Sequence, residues 1–410
     1  MSYKTYENYK DSGIGWIGEI PKDWGVCRVK NNFNIRSGDS PVKKEEGEYE
    51  IIGANGCIGL TDDFNIVKKH IVIGRVGAAG SVNITPEKAF VSDNALILDF
   101  DKNIVFNYAF YLFKALDLDS LINKNAQPLI TATQVKNLFI LNISKNEQSK
   151  IAGYLDKKTS EIDENIAKNK ELISLLEEKK TALINQAVTK GLNPNVPMKD
   201  SGIEWIGEIP EHWVIKKLKY CVDLNSSSLS ENTDDYYEFD YVDISSVSLE
   251  KGIEKYEHMY FKDSPSRARR IVNKDDIIVS TVRTYLKAIA VIPDKKDVIV
   301  STGFAVLTPR NINSSFLAYL TKSNYFVNLV SAHSVGVSYP AINSSVLVNL
   351  KIVIPPTEEQ EKCSDYLEKE ISKIDEIIEK NNEEIELLEE YKTSLIHHVV
   401  TGKIDVRNEI

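Results

Sequence analysis

The chain repeats itself, and that fact bounds every other reading of it. Lys10–Trp24 reads KDSGIGWIGEIPKDW and Lys199–Trp213 reads KDSGIEWIGEIPEHW, identical at 12 of 15 positions. A second pair is longer: Glu147–Thr189 and Glu359–Thr401 agree at 25 of 43 positions under one constant offset of 212. At that same offset Pro128-Leu-Ile and Pro340-Ala-Ile each open an apolar alternation, ending at Leu138-Phe-Ile and Leu350-Lys-Ile. Self-similarity on this scale means two copies of one plan. Each copy is a Trp-containing lead-in, a body of more than a hundred residues and a long charged segment; the two bodies show no evident mutual identity. At roughly 100–200 residues per domain, 410 residues allow two to four folded units. The repeat divides them as 1–146, the charged segment 147–190, 191–357 with its lead-in at 199–213, and the charged segment 358–410.

The charged segments carry a heptad seam. Ala152, Leu155, Thr159, Ile162, Ile166, Asn169, Ile173, Leu176, Lys180, Leu183 and Ala187 are separated by alternating steps of 3 and 4, the a/d spacing of a coiled-coil helix. The second copy repeats it through Ser364, Leu367, Ile371, Ile374, Ile378, Asn381, Ile385, Leu388, Lys392, Leu395 and Val399. Polar residues fall at matching places, Asn169 with Asn381 and Lys180 with Lys392, a device that lowers stability but fixes register and partner. Two seams of one length predict that the segments pair with each other as antiparallel helices, related by a pseudo-two-fold axis. At 1.5 Å per residue, 43 residues give a rod of about 65 Å.

The bodies are rich in strand signals. His70–Ile84 and Asp275–Ile292 are β-branched runs broken by Gly, Ser or Thr, and Val91–Leu98 is expected to face Ser301–Pro309 as a further strand pair. Helical patches follow at Asn107–Leu118 and Ser315–Leu329. The expected fold class is α+β: two globular α/β bodies and two long antiparallel coiled-coil helices. No apolar run approaches the roughly 18 residues that cross a bilayer, and MSYKTYENYKDSG has no leader-like apolar core, so a cytoplasmic protein is expected. The cysteines at 27, 57, 221 and 363 form no C-x-x-C pair and are expected to be small buried hydrophobes.

Net charge is −10, which would argue against nucleic acid were it spread evenly. It is not. Residues 358–402 hold five Lys and Arg against fourteen Asp and Glu, whereas residues 30–146 balance at 13 each and 216–357 hold 17 basic against 15 acidic. Catalytic motifs are missing. There is no phosphate-binding G-x-x-x-x-G-K-[ST] loop, and Gly74, Gly77 and Gly80 have turn spacing rather than that of a dinucleotide fingerprint. His397-His398 lacks the i, i+4 spacing of a zinc pair, and no Asn-Pro-Pro-aromatic or Asp-Pro-Pro-aromatic loop of an amino-methyltransferase occurs. Donors suited to DNA are present instead. Arg267, Arg269 and Arg270 cluster in SPSRARR; Arg283, Tyr285 and Lys287 alternate on what reads as the following strand, sharing a face. Arg36 and Arg75 are the only arginines of residues 30–146, and Asn94 and Thr302 complete the candidate contacts.

The WIGEIP-x-x-W lead-in, the run ending Ile354-Pro-Pro-Thr-Glu-Glu-Gln, and the helices ISLLEEKKTALINQAVTKG and IELLEEYKTSLIHHVVTGK closely resemble the specificity subunit of type I restriction-modification systems. One departure is Leu141-Asn-Ile-Ser-Lys-Asn-Glu-Gln, where the second copy has Pro-Pro before Glu-Gln. The resemblance implies two target recognition domains, each reading one half of a bipartite site in double-stranded DNA, and spacer helices that set the gap. It implies two modification (methyltransferase) subunits docked on the frame, with restriction (translocase/nuclease) subunits in the full complex. The chain itself would bind no cofactor and catalyse nothing; S-adenosylmethionine, ATP and Mg2+ belong to those partners. The alternative from another class is a coiled-coil scaffold with two protein-binding domains.

Overall fold

The structure, a computed structural model, describes residues 3–122, 129–203 and 205–409. Pro128 of the repeated motif and Glu204 of the second lead-in lie outside them. The chain divides into two compact units, Met1–Lys170 with Asn382–Ile410, and Glu171–Asn381. Each long helix therefore contributes one half to each unit.

In the first unit, strands β1 (Phe33–Ser37), β2 (Tyr49–Gly53), β3 (Gly56–Thr61), β4 (Ile71–Gly74), β5 (Val82–Ile84), β6 (Phe90–Val91) and β7 (Ala95–Phe100) precede helix α1 (Phe106–Ala115) and the long helix α2 (Lys145–Lys190). They make a four-stranded sheet of order β1-β7-β4-β5 and a three-stranded sheet β3-β2-β6 in which β2 and β6 run parallel. In the second unit, β8 (Val222–Leu224), β9 (Glu238–Val242), β10 (Glu257–Tyr260), β11 (Ala268–Ile271), β12 (Ile277–Ser280), β13 (Ile289–Val291), β14 (Val298–Ser301) and β15 (Phe304–Pro309) precede α3 (Ser314–Lys322), α4 (Asn324–Ala332) and the second long helix α5 (Thr357–Val400). The sheets are β8-β15-β12-β13 and β10-β9-β14-β11, with β9 and β14 parallel. Bodies without evident sequence identity thus share one topology, to which the second adds β11 and a short strand pair, Val247–Ser248 with Gly252–Ile253. The apolar runs explain it: Ile71–Gly74 and Ile277–Ser280 are buried throughout, as central strands covered on both faces are. The runs at Val91–Leu98 and Ser301–Pro309 are counterparts and do not pair with each other; β7 pairs with β1 and β4, and β15 with β8 and β12. Period-two patterning marks a strand but not its neighbour, because a neighbour is chosen by packing far along the chain.

The repeated frame makes the same bonds twice. Gln148 and Gln360, both buried, stand 212 residues apart at the start of α2 and α5. Gln148 accepts from Val105 N at 2.9 Å and donates to Ile143 O at 3.1 Å; Gln360 accepts from Asn313 N and donates to Pro355 O, each at 2.8 Å. One glutamine therefore holds the start of the body's helix to the start of the long helix. Glu147 accepts from the Tyr6 hydroxyl at 2.9 Å and Glu359 from Trp213 Nε1 at 2.9 Å. At the other ends Gly191 and Gly402 both have φ +73°, the left-handed conformation that stops a helix. A Cβ at Gly191 would sit 3.0 Å from the Trp213 ring, and one at Gly402 2.9 Å from Trp24, so the lead-in tryptophans lie where glycine leaves room.

The helices pair antiparallel inside each unit. In the second, Ile184, Ala187 and Val188 of α2 share a core with Cys363, Leu367 and Ile371 of α5. Further along, Lys180 Nζ lies 2.6 Å from Asp375 Oδ1. In the first, Lys392 Nζ lies 2.6 Å from Asp163 Oδ1, the image of that contact under the 212 offset. Seam residues Leu155, Ile162, Ile166, Leu367, Ile374, Ile385 and Leu395 are buried, while Ile173, Leu176, Leu183, Ile378 and Leu388 are half-buried. Asn169 Nδ2 is buried with no partner among the described residues, whereas Asn381 Nδ2 donates to Ile377 O at 2.7 Å. Not every cysteine follows expectation: Cys221 and Cys363 are buried, Cys27 is half-buried and Cys57 is exposed on β3, since a hairpin of the small outer sheet has one face in water.

Candidate nucleic-acid interface

Residues 281–288 join β12 to β13 and are pinned from outside. Thr281 N donates to Gly303 O at 2.8 Å, Val282 pairs with Ala341, and Thr284 N donates to Pro340 O at 3.2 Å. Between these pins Arg283 (φ 51°, ψ 48°) and Lys287 (φ 51°, ψ 37°) are both left-handed, flanking a single 3-10 turn, Thr284–Leu286. That conformation costs an L-residue roughly 1–2 kcal/mol and persists only where its surroundings impose it. Arg283, Tyr285 and Lys287 therefore do not alternate on a strand, as their spacing predicts. The period argument assumes extended backbone, and here hydrogen bonds from distant segments turn the chain. All three side chains are exposed, and the Arg283 guanidinium lies 5.1 Å above the Tyr339 ring.

Arg283 shares a cleft of about 460 Å³ with Arg267, Asp243, Ser301, Thr302 and Gly303. Arg267 is fixed within it: Nη2 lies 2.8 Å from Asp243 Oδ2 and Nε donates to the Tyr241 hydroxyl at 3.2 Å. That hydroxyl donates to Asp243 at 2.9 Å. Burial pushes the Asp243 carboxyl up, but the Tyr241 hydroxyl, the Ser245 amide and the Arg267 charge outweigh it and hold it below the usual carboxylate range. Thr302 is exposed at the lip, its amide donating to Arg267 O at 2.8 Å. Arg269 and Arg270 diverge from Arg267. They sit on β11, whose register against β14 shifts between Ala268 and Arg270, a bulge that re-aims side chains. Arg269 covers the Phe261 ring at 4.8 Å and Arg270 Nη1 donates to Ser228 Oγ at 3.3 Å, with its Nε buried and without a partner among the described residues.

The first body gathers less charge at the corresponding hairpin end. Arg75 N donates to Asn94 O at 2.8 Å and Arg75 Nη1 to Asp93 O at 3.3 Å, so Arg75 and Asn94 adjoin. The loop beside them contains Gly77 and Gly80, both at positive φ, which makes these glycines the turn their spacing predicts. Arg36 is elsewhere, on β1, with Nε 3.1 Å from Asp99 Oδ2, and buried His70 meets the other oxygen of that carboxylate at 3.1 Å. Sequence reasoning passes over Asp243, Tyr241 and Tyr339, which orient the arginines. Their only signal is spatial, because Tyr339 lies 56 residues beyond Arg283. Among the described residues no group of three His, Cys, Asp or Glu side chains is placed to hold a metal ion, and no helix is long and apolar enough to cross a membrane.

Residues 21–174 and 210–387 each match the type I restriction modification DNA specificity domain, so the chain belongs to the family of type I restriction-modification specificity subunits and carries two copies of its domain. Among its relatives is the type I restriction enzyme MjaVIII specificity subunit of Methanocaldococcus jannaschii, 26% identical over 437 residues that take in 100% of this chain and 98% of the relative. The EcoprrI specificity subunit of Escherichia coli is 28% identical over 170 residues, 38% of this chain and 41% of that one. A chain from a solved structure of a type I restriction-modification system has a TM-score of 0.67 at 13% identity, covering 93% of this chain and 98% of its own. The specificity subunit of Thermoanaerobacter tengcongensis gives 0.51 at 14%, covering 94% and 98%. The fold agrees with the family, and the family match favours a recognition subunit over a protein-binding scaffold.

Proposed function

We propose that this chain chooses the DNA address of a cytoplasmic type I restriction-modification complex. Each body reads one half of a bipartite double-stranded site, and α2 and α5 set the unread gap. Two modification subunits dock on the repeated frame and methylate, and restriction subunits join through them. S-adenosylmethionine, ATP and Mg2+ act on those partners, so the chain alone transfers no methyl group. The observation that carries this reading is that two bodies of one topology hang on one repeated frame yet carry different polar side chains at the same hairpin end. A frame that must meet identical partners stays fixed, while surfaces that read different bases differ. Among the cations, Arg269 on its bulge suits a phosphate, and Arg269→Ala should weaken binding to all sequences alike and lower the salt slope by about one.

The experiment is to purify the chain with and without a methyltransferase partner and to measure sequence-dependent DNA binding and transfer of labelled methyl groups. The complex should prefer a split site; the chain alone should transfer nothing. Methyl transfer by the pure chain, or a complex indifferent to sequence, would refute the reading.

A further inference from the structure

The hairpin loops of the two bodies occupy one place in one topology and fill it with opposite residue types. Val76 pairs with Leu129, and Val282 with Ala341. Counting on from those valines, Gly77 (φ 79°) corresponds to Arg283 (φ 51°). On the returning side Gly74 N donates to Ser81 O and Ser280 N to Ala288 O. One residue back from each acceptor stand Gly80 (φ 88°) and Lys287 (φ 51°). Both left-handed positions are therefore built into the fold, and glycine is the residue that takes them without strain. The first body has glycine at both; the second has an arginine and a lysine.

We infer that Arg283 and Lys287 are held in strained backbone because their side chains read DNA, Arg283 contacting a guanine edge in the second half-site and Lys287 a neighbouring phosphate. The inference rests on the reading of the chain as a DNA-recognition subunit. Strain that surrounding bonds hold in place, at the rim of a cleft, points to use of the strained residue. Arg283 is also the unspent arginine of that cleft. Arg267 is spent on Asp243, whereas Arg283 has no carboxylate partner among the described residues and lies, exposed, over the Tyr339 ring. A guanidinium steadied on an aromatic ring presents the planar fork that fits guanine O6 and N7. A lysine ammonium offers a compact charge without that geometry, which suits a phosphate. Val282, Tyr285 and Leu286 of the same loop are exposed apolar groups, and Val282 shares its bridge partner Ala341 with exposed Val335. In the first body the loop between Arg75 and Ser81 is Val-Gly-Ala-Ala-Gly, so side-chain reading there falls to Arg75 and Asn94.

The test separates strain from recognition by making the second loop resemble the first. Arg283→Gly, Arg283→Lys and Lys287→Gly are prepared in the complex with the methyltransferase partner, and thermal midpoints are measured beside affinities for the mapped site and its single-base variants. Arg283→Gly should hold or raise the midpoint, because it relieves the backbone. It should lower affinity for the cognate site by roughly tenfold to a hundredfold and relax one base pair of the second half-site. Arg283→Lys keeps the charge, loses the fork and should relax that same pair. Lys287→Gly should weaken all sequences evenly and lower the salt slope by about one. An Arg283→Gly complex that discriminates as well as the parent overturns the inference while leaving the recognition function standing. A lowered midpoint for Arg283→Gly overturns the strain argument. A parent complex without sequence preference would instead remove the reading beneath it.

Discussion

The two copies differ in side chains where their sheets share one strand order. Sheets β1-β7-β4-β5 and β8-β15-β12-β13 have one strand order, and the hairpins β4-β5 and β12-β13 turn through left-handed residues at matching positions, yet one loop is glycine and alanine and the other arginine, threonine, tyrosine and lysine. The frames repeat side chains as well as backbone at the positions that tie each unit together. Gln148 and Gln360, Asp163 and Asp375, Lys180 and Lys392 make the same bonds in each unit. Repeated side chains mark surfaces that do one job twice; a repeated backbone with exchanged side chains marks surfaces that do two versions of a job.

The widest test of that contrast exchanges a whole body. If Trp24–Glu147 reads one half-site and Trp213–Glu359 the other, replacing the first with a homologous body should rewrite one half of the methylated motif, seen by mapping modified bases in genomic DNA. A change in both halves would break the modular comparison. Next in size is a change to the frame alone. One whole heptad inserted after Leu176 and another after Leu388 keeps both seams in phase and adds about 10 Å to each helix. At about 3.4 Å per base pair the gap should lengthen by about one to three pairs, with the added twist of the duplex absorbed by protein or DNA. Both half-sites should keep their sequences. An unchanged gap with full activity would make the helices a docking frame without a measuring role.

The frame was legible in the sequence because helices and their seams are local. Steps of 3 and 4 located the helices to within a few residues of Lys145–Lys190 and Thr357–Val400, and cross-helix ion pairs accounted for Lys180 and Lys392 at the seam but not for Asn169 and Asn381. The candidate interface was legible only as residue types. Arg267 and Arg283 were visible as donors, but Asp243, which fixes one, and Tyr339, which steadies the other, reach them through folding. Arg283 and Lys287 show the physical reason most clearly. Their alternation reads as a strand, and bonds from Gly303, Pro340 and Ala341 make it a turn.

A narrower test asks whether the frames are as equal in energy as in geometry. Gln148→Ala and Gln360→Ala each strand a backbone amide and a carbonyl, Val105 N with Ile143 O and Asn313 N with Pro355 O. Unpaired buried polar groups cost about 1–3 kcal/mol, so each variant should lose stability in that range, measured by denaturant unfolding. The Gln360 variant retains one further contact, because the Asn313 side chain still accepts from Phe316 N at 2.9 Å, whereas Val105 offers no side-chain cap. Gln148→Ala should therefore be the worse of the two. Equal losses would mean that the local cap adds nothing.

The smallest expected effect comes from a position where the frames differ in chemistry. His397 corresponds to Asn185 under the 212 offset, so one unit carries a titrating group where the other carries none. Burial holds His397 below the ordinary imidazole value, and the neighbouring His398 and Lys403 charges add to it, against a partial opposing hydrogen bond to the Trp16 backbone. Its ring lies edge-on to Trp16 at 6.3 Å. A histidine depressed in the folded state stays neutral there while the unfolded chain takes up a proton, so stability rises with pH between the two values. The contribution is complete above the unfolded imidazole value of about 6.5 and fades as pH falls through the lower folded one. Acidification from pH 7.5 to 5.5 should loosen the first unit at the end of α5, where amide exchange around Trp16 and Ser394–Thr401 should quicken more than around Thr181–Thr189. His397→Asn, which copies the second frame, should remove that excess. If the variant and parent lose protection equally on acidification, another group sets the pH response.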